Sequence, residues 1–294
     1  DFTVEVERSL RVLDGAVVVF DGKMGVESQS ETVWRQADKY KVPRICFINK
    51  INQTGGDFYK SLDTIHARLN KRAFPIHLPI GFEKDINGIV DLVSMKAYTY
   101  KDFTDKALVE SEIPEDMMDK VKRARSLLIE NAVAEDETIL EKYFDVGEDG
   151  LSEDEIKSAV RSAILSGNFF AVTGGDGRGV IVEKVLDLVI DLLPSPIERG
   201  STWGTNPKTG DEIERKPSAS EPMSGLAFKI ATDPFVGKLA YFRVYSGTLK
   251  SGSYILNSST GEKERVGRVV RMLTGGSGKV MLSRTIGLAG SQRV

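Results

Sequence analysis

The chain has 294 residues, of which 40% are hydrophobic and 28% charged, and its formal net charge is −3. This composition is typical of a globular protein of about two domains, and it provides no overall positive field that would favour nucleic acid. One cysteine and two histidines exclude a disulfide framework and a zinc site of cysteine and histidine. No apolar run approaches the ~18 residues of a membrane span, so we expect a cytoplasmic protein without membrane contacts.

The first part of the chain alternates helices and strands, which is the pattern of a doubly wound, mostly parallel sheet. The predicted elements are helices at 1–13, 28–40 and 58–69 and strands at 16–20 and 44–48. Ser28 and Glu31 have the spacing of a capping box and predict the start of the second helix. Cys46 lies inside an apolar strand and is predicted to be a core residue.

The pattern changes after this region and then returns. Predicted strands at 76–81, 88–93 and 95–100 precede two charged helical regions at 114–145 and 149–166. Because it contains prolines, the strand at 76–81 is expected to lie at the edge of its sheet. The first pattern resumes with a buried strand at 168–172 and a helix for which the predicted inward residues are Val182, Val185, Leu186, Val189 and Leu193.

The last third of the chain has the short, regularly spaced strands of an all-β barrel. Residues 198–222 are rich in small and polar residues and are interpreted as a linker or loosely held hairpin. The strands that follow are predicted at 225–232, 237–245, 253–257 and 264–272. No strand is predicted at 283–287, and residues 275–294 are expected not to continue the barrel.

Polar side chains follow the buried strand at 44–48, at the end where open α/β sheets bind ligands. These are Asn49, Lys50 and Asn52. Asn-Lys-x-Asp at such a position is the base-reading element of GTP-binding proteins, and Asn52 stands where that element has Asp. The asparagine side chain can bond neighbouring loops and the base edge, and the lysine stem can lie along a flat ring. The alternative is a polar loop that only solvates backbone.

A second strand end carries Thr173 and Gly174, followed by Gly177 and Gly179. Backbone N–H groups at this position can donate to a base carbonyl, and glycine allows the close approach that such a contact needs. A loop of this kind, taken alone, is more often only a tight turn.

The chain resembles bacterial elongation factor G from residue 1 to about residue 273. The similar stretches lie at 2–16, 31–44, 193–196, 227–229 and 242–252. The resemblance implies a translational GTPase that drives movement of tRNA and mRNA on the ribosome. It implies GTP or GDP as the bound nucleotide, and ribosomal RNA and proteins as partners. The implied nucleotide-binding residues are Asn49, Lys50, Asn52, Thr173 and Gly174.

The same resemblance implies the fold class and the domain boundaries. We expect an α/β protein with a partial P-loop-type GTPase domain, an inserted α+β subdomain and a partial all-β barrel. The predicted boundaries are 1–78 and 167–197 for the GTPase domain, 79–166 for the insertion, 198–222 for the linker and 223–294 for the barrel.

The phosphate-binding part of the family's site has no counterpart in these residues. No G-x-x-x-x-G-K-[ST] pattern occurs, because Leu273 and Val280 replace the first glycine and the final hydroxyl residue around the run at 275–279. We expect the phosphate loop, the first switch, the Asp-Thr-Pro-Gly-His segment and the magnesium site to lie upstream of Asp1, so that the chain is a fragment. The isolated chain is predicted to contain no catalytic residue and no metal ligand, and not to hydrolyse GTP.

Asn52 changes the hydrogen-bonding pattern of the base-reading loop. A carboxylate accepts from both N1–H and the exocyclic amine of guanine, whereas an amide offers one acceptor and one donor group. Asn52 therefore matches xanthine, and we expect a weakened preference for guanine. A sequence error at this one residue is the alternative. Thr173-Gly174 stands where the family usually has Ser-Ala, a change that we expect to be tolerated.

Two other identities remain open at the level of sequence. A non-catalytic ribosome-binding protein could be built from the same parts, and a ribosome-protection or release-factor relative would share them. The long insertion favours elongation factor G, since a shorter one is expected in those relatives.

Overall fold

The structure, a computed structural model, describes residues 3–100, 108–176, 181–233, 237–271 and 286–289. The chain divides into two compact units, one formed by Leu13–Pro194 and the other by Asp1–Val12 with Ser195–Val294. The first helix therefore belongs to the unit that contains the C-terminal strands. The domain boundaries implied by the resemblance stay a prediction.

The described helices and strands follow the predicted alternation. The helices are α1 (Thr3–Leu10), α2 (Ser28–Lys39), α3 (Phe58–Arg68), α4 (Met118–Val133), α5 (Glu137–Val146), α6 (Glu153–Leu165) and α7 (Val182–Leu192). The strands are β1 (Ala16–Asp21), β2 (Arg44–Asn49), β3 (Ala73–Pro75), β4 (His77–Ile80), β5 (Gly88–Asp91), β6 (Lys96–Thr99), β7 (Val109–Ser111), β8 (Phe170–Gly174), β9 (Thr202–Thr205), β10 (Glu212–Arg215), β11 (Ser224–Asp233), β12 (Gly237–Ser246), β13 (Tyr254–Leu256), β14 (Lys263–Arg265), β15 (Arg268–Arg271) and β16 (Ile286–Ala289).

A parallel four-stranded sheet of order β1-β2-β8-β3 forms the centre of the larger unit. Strand β2 is buried at five of its six residues, as expected for a central strand of a parallel sheet. Cys46 is fully buried there, and burial raises the pKa of its thiol to about 12. The predicted α/β class is confirmed, and Cys46 is a core residue.

Two helix details differ from the sequence-based expectations. Helix α2 is capped by Glu27, whose backbone N–H donates to the hydroxyl of Ser30 at 3.3 Å, so the predicted Ser28–Glu31 box is wrong. Glu31 instead accepts from Arg68 at 2.7 Å. On α7, Leu186 is 55% exposed rather than inward, and Leu188 and Leu192 are buried in its place.

The segment that begins with β4 at His77, two residues before the predicted boundary at 79, forms a sheet of its own within the larger unit and is here called the inserted region. Strands β4-β5-β6-β7 pair antiparallel in that order, so the proline-containing strand β4 lies at an edge, as predicted. Helices α4, α5 and α6 follow, and α6 begins with the predicted capping box of Ser152 and Glu155. Strand β3 was not predicted; it is only three residues long.

The smaller unit is built from antiparallel strands and α1. Its main sheet has the order β11-β12-β16-β15, and the two hairpins β9-β10 and β13-β14 accompany it. The stretch at 198–222 therefore contains a hairpin, and the strand predicted at 264–272 is divided into β14 and β15. Strand β16 corrects the expectation of no strand at 283–287, because Ile286 pairs with Phe242 and Arg271. The antiparallel strands are consistent with the predicted barrel.

Among the helices of the described ranges, none combines the length and the apolar character needed to cross a bilayer.

Candidate functional site

The carboxyl ends of three neighbouring parallel strands bring the predicted site residues together. Asp21 at the end of β1 is in register with Asn49 at the end of β2. Gly174 at the end of β8 is in register with Ile48, one residue before Asn49. This is the edge at which open α/β sheets bind ligands.

Backbone hydrogen bonds join the loops that follow these strands. Gly22 N–H donates to the carbonyl of Asn49 at 2.7 Å, and Gly175 N–H donates to the carbonyl of Ile48 at 2.9 Å. Ile51 N–H donates back to the carbonyl of Gly175 at 3.4 Å. The loop after β2, residues 50–57, is here called the first loop, and residues 173–176 are called the second loop. The two loops are thus held side by side.

Asn49 and Lys50 make a tight turn at the start of the first loop. Lys50 has a φ of +61°, in the left-handed region that side-chain-bearing residues adopt infrequently. The amide oxygen of Asn49 accepts from the backbone N–H of Lys50 at 2.8 Å, which stabilises this turn. The half-buried Asn49 side chain therefore has a role in shaping the loop.

Asp21 forms an ion pair with Lys50 across the strand ends. The Lys50 Nζ atom lies 2.7 Å from Asp21 Oδ2, and this hydrogen bond lowers the pKa of the Asp21 carboxyl and raises the pKa of the Lys50 ammonium. The Lys50 side chain is 48% exposed and the Asp21 side chain 24%, so solvent screens the pair and it contributes little to stability. Its effect is on the direction of the lysine side chain, which it ties to the edge of the sheet.

Asn52 is one of three adjacent polar residues of the first loop whose side chains have no hydrogen-bond partner among the described residues, together with Gln53 and Thr54. The Asn52 side chain is half-buried. The carbonyl oxygen and the NH2 group of its side-chain amide are thus both available to a ligand.

Thr173 lies at the start of the second loop, and its side chain is turned into the protein. Its side chain is fully buried, and its Oγ1 atom lies 2.9 Å from Nδ1 of His77, to which it is hydrogen-bonded. The hydroxyl is therefore directed at the inserted sheet, and Thr173 contributes to the second loop by its backbone. His77 is the first residue of β4 and is itself 2% exposed.

A glycine is needed at position 174 because the side chain of Phe58, the first residue of α3, packs against it. A Cβ atom built at Gly174 would lie 2.6 Å from Cδ2 of Phe58 and 3.3 Å from the carbonyl oxygen of Ile48. Side-chain-bearing residues do not fit at this position unless Phe58 moves. The predicted glycines Gly177 and Gly179 lie outside the described residues.

We expect Gly174→Ala, the residue that the resembling family usually has there, to destabilise this protein. Overpacking of this kind costs about 1–3 kcal/mol of unfolding free energy, and urea unfolding followed by circular dichroism measures it. Gly204→Ala is the matched control, because a Cβ at Gly204 would meet nothing within 4 Å. Equal stability of the two variants would contradict the packing argument.

His77 predicts a pH dependence of stability. Burial lowers the pKa of its imidazole, with a further lowering by Lys184 that Asp91 and Asp187 oppose. Since the unfolded chain binds the proton more readily, stability is expected to fall below about pH 6.5, by at most about 1.4 kcal/mol per pH unit. Unfolding curves between pH 7.5 and pH 5 measure this slope, and it should shrink in His77→Asn. An unchanged slope in that variant would show that other groups cause it.

Local sequence patterns do not identify three residues that lie near the site. Asp21 has the sequence context of a loop or cap residue, although its place at the end of a strand parallel to β2 is a usable signal. His77 and Glu83 belong to the inserted region, and Glu83 accepts a hydrogen bond from Gly55 of the first loop at 2.7 Å. No local pattern marks such long-range contacts.

The described ranges contain no group of three or more histidine, cysteine or acidic side chains placed to hold a metal ion.

Comparison with known proteins decides the family. The family model described as elongation factor Tu GTP binding domain matches residues 1–195 of the 294. The chain belongs to this family. Membership implies binding of a guanine nucleotide, which agrees with the position of Asn49 and Lys50 at the strand ends.

A second family model, described as elongation factor G domain 2, matches residues 222–281. The chain is thus built from translational GTPase domains, and the match corrects the expectation that residues 275–281 depart from the family. A crystal structure of a protein from Thermus thermophilus is similar at 26% identity with a TM-score of 0.74. That similarity covers 100% of this chain and 43% of the other.

Proposed function

We propose that the first and second loops form the base-reading half of a guanine-type nucleotide site. The observation that carries the proposal is that backbone hydrogen bonds of Gly175 with Ile48 and Ile51 hold the segment that contains Asn49, Lys50 and Asn52 beside the loop that contains Gly174, at one edge of a parallel sheet. The Lys50 stem supplies a surface for a purine ring, and the backbone N–H of Gly174 supplies a donor for a base carbonyl. Asn52 supplies the side chain that distinguishes one base edge from another.

The proposed base is a purine with an oxygen at C6 and a hydrogen on N1. The side-chain carbonyl of Asn52 accepts from N1–H. The NH2 group of the same amide donates to an oxygen at C2, which xanthine has and guanine lacks. Support comes from the absence of any described intramolecular partner for the Asn52 side chain. In this proposal guanine nucleotides also bind, but they lack the hydrogen bond from the Asn52 NH2 group to an oxygen at C2.

At the level of the whole protein, we propose a translation factor of the elongation factor G kind. Such a factor acts on the ribosome in the cytoplasm, promotes movement of tRNA and mRNA with GTP, and uses Mg²⁺ at phosphate contacts outside these residues. Support comes from the order of the domains and from the long insertion between β3 and β8. A ribosome-protection or release-factor relative, and a non-catalytic ribosome-binding protein, are the competing assignments.

Ligand-detected NMR tests the base-reading role on the chain itself. We expect saturation transfer to GDP and to xanthosine diphosphate, and none to CDP, which has a smaller ring and a different edge. Asn49→Ala should abolish the transfer, because it removes the amide that shapes the turn at Lys50. Asn168→Ala is the control, because Asn168 is exposed and precedes the amino end of β8, whereas the site lies at the carboxyl ends of the strands. Equal signals from all three nucleotides, or an unaffected Asn49→Ala, would reject the assignment.

A further inference from the structure

Two residues of the inserted region contact the base-reading loops without facing a ligand. His77, at the start of β4, is hydrogen-bonded to Thr173 of the second loop. Glu83, three residues after the end of β4, accepts from Gly55 of the first loop. One short segment of the insertion thus holds both loops.

The contact of His77 with Thr173 is enclosed by protein. The two residues are 2% and 0% exposed, and 96 positions separate them in the chain. A hydroxyl in this environment has no access to water that could replace the imidazole. Removal of the imidazole would leave an unsatisfied polar group directly beside Gly174, and such a group is costly when buried.

The contact of Glu83 with Gly55 joins two residues that both have a positive φ. Gly55 has a φ of +83° and Glu83 a φ of +47°. The second value lies in the left-handed region, which glutamate adopts infrequently and which persists only where surrounding contacts hold it. The bond is charge-assisted at 2.7 Å, so it is stronger than a neutral one despite its exposure.

We propose that His77 and Glu83 are positioning residues, through which the inserted region sets the separation of the two base-reading loops and hence the affinity for the nucleotide. This inference rests on the proposed base-reading function. Neither residue touches the base. Their effect is to fix the backbone of the second loop and the far end of the first loop before a ligand arrives.

A double-mutant cycle on the full chain tests the buried contact. The variants are His77→Phe, which removes the ring nitrogens, Thr173→Val, which removes the hydroxyl, and the two combined. His77→Asn is the conservative rescue, because its amide can occupy the place of Nδ1. Two readouts are used: amide hydrogen exchange at Gly174 and Gly175 in the ligand-free chain, and the dissociation constant for xanthosine diphosphate.

We expect His77→Phe to speed exchange at Gly174 and Gly175 and to weaken nucleotide binding, each by about tenfold or more, from the cost of one unsatisfied buried group. His77→Asn should stay near the unmodified chain. Adding His77→Phe to Thr173→Val should have a much smaller effect than His77→Phe alone, because no hydroxyl is left unsatisfied. Glu83→Ala should speed exchange at Gly55, whereas Glu112→Ala, at an exposed position, should not.

Lower global stability of His77→Phe with unchanged exchange and affinity would overturn the proposal, because His77 would then be a core residue only. Additive effects of His77→Phe and Thr173→Val would overturn it as well. If hydrogen exchange changes as expected but no nucleotide binds the unmodified chain, the proposed base-reading function is wrong. The result then supports only the positioning of the loops by His77 and Glu83.

Discussion

Asn52→Asp is expected to raise the affinity for GDP and lower the affinity for xanthosine diphosphate. A carboxylate at this position accepts from both guanine donors, and the gained charge-assisted contact is worth roughly 1.5–3 kcal/mol, or about tenfold to more than a hundredfold in affinity. The same carboxylate would face the C2 oxygen of xanthine, where two acceptors oppose each other. Titration of both nucleotides against both proteins, by calorimetry or competition NMR, gives the change in their ratio.

Asn168→Asp is the charge-matched control, since it adds the same negative charge at an exposed position outside the loops. Its affinity ratio should equal that of the unmodified chain. If Asn52→Asp and the unmodified chain discriminate equally between the two nucleotides, Asn52 does not read the base edge. The proposed contact would then be wrong even if nucleotide binds.

The second prediction with a large expected effect concerns GTP hydrolysis. We expect these 294 residues, as an isolated chain with GTP and Mg²⁺, to release phosphate no faster than a protein-free blank. Catalysis of phosphoryl transfer depends on a cradle of backbone N–H groups, a lysine and a metal ion around the phosphates. The sequence has no phosphate-loop pattern, and the described residues contain no group of three or more histidine, cysteine or acidic side chains placed to hold a metal ion.

A sensitive phosphate-release assay decides this point, with Asn49→Ala as the control for contaminating GTPases. Release that both proteins show equally comes from a contaminant. Release that the unmodified chain shows and Asn49→Ala lacks would contradict the expectation, and would mean that other residues of this chain hold the phosphates.

The alternating pattern of the first part of the chain is sufficient to predict its sheet. Buried parallel strands have continuous apolar sequences, and the strand at 44–48 in particular can be placed from its residues alone. Strand β3 cannot, because its three residues owe their conformation to β8, which is distant in sequence. The same holds for β16, which is defined by pairing with β12 and β15 rather than by its own composition.

The site residues that are neighbours in sequence can be predicted, whereas the contacts between residues distant in sequence cannot. Asn49, Lys50 and Asn52 are neighbours in sequence, and their position after a buried strand is visible in the residues. The hydrogen bond of the buried Thr173 hydroxyl with His77, 96 positions away, has no local signal in the sequence. Sequence alone does not show which face of a strand a neighbouring subdomain covers, and this is why it does not identify His77 and Glu83.

Backbone amide NMR of the chain during nucleotide addition tests the central claim most directly. On addition of xanthosine diphosphate, we expect shifts concentrated at Lys50, Asn52 and Gly174, with smaller shifts of the same residues at equal concentrations of GDP. Shifts at these residues would place the base between the two loops at the carboxyl edge of the parallel sheet. Saturating nucleotide that moves resonances elsewhere and leaves these three unchanged would contradict the account.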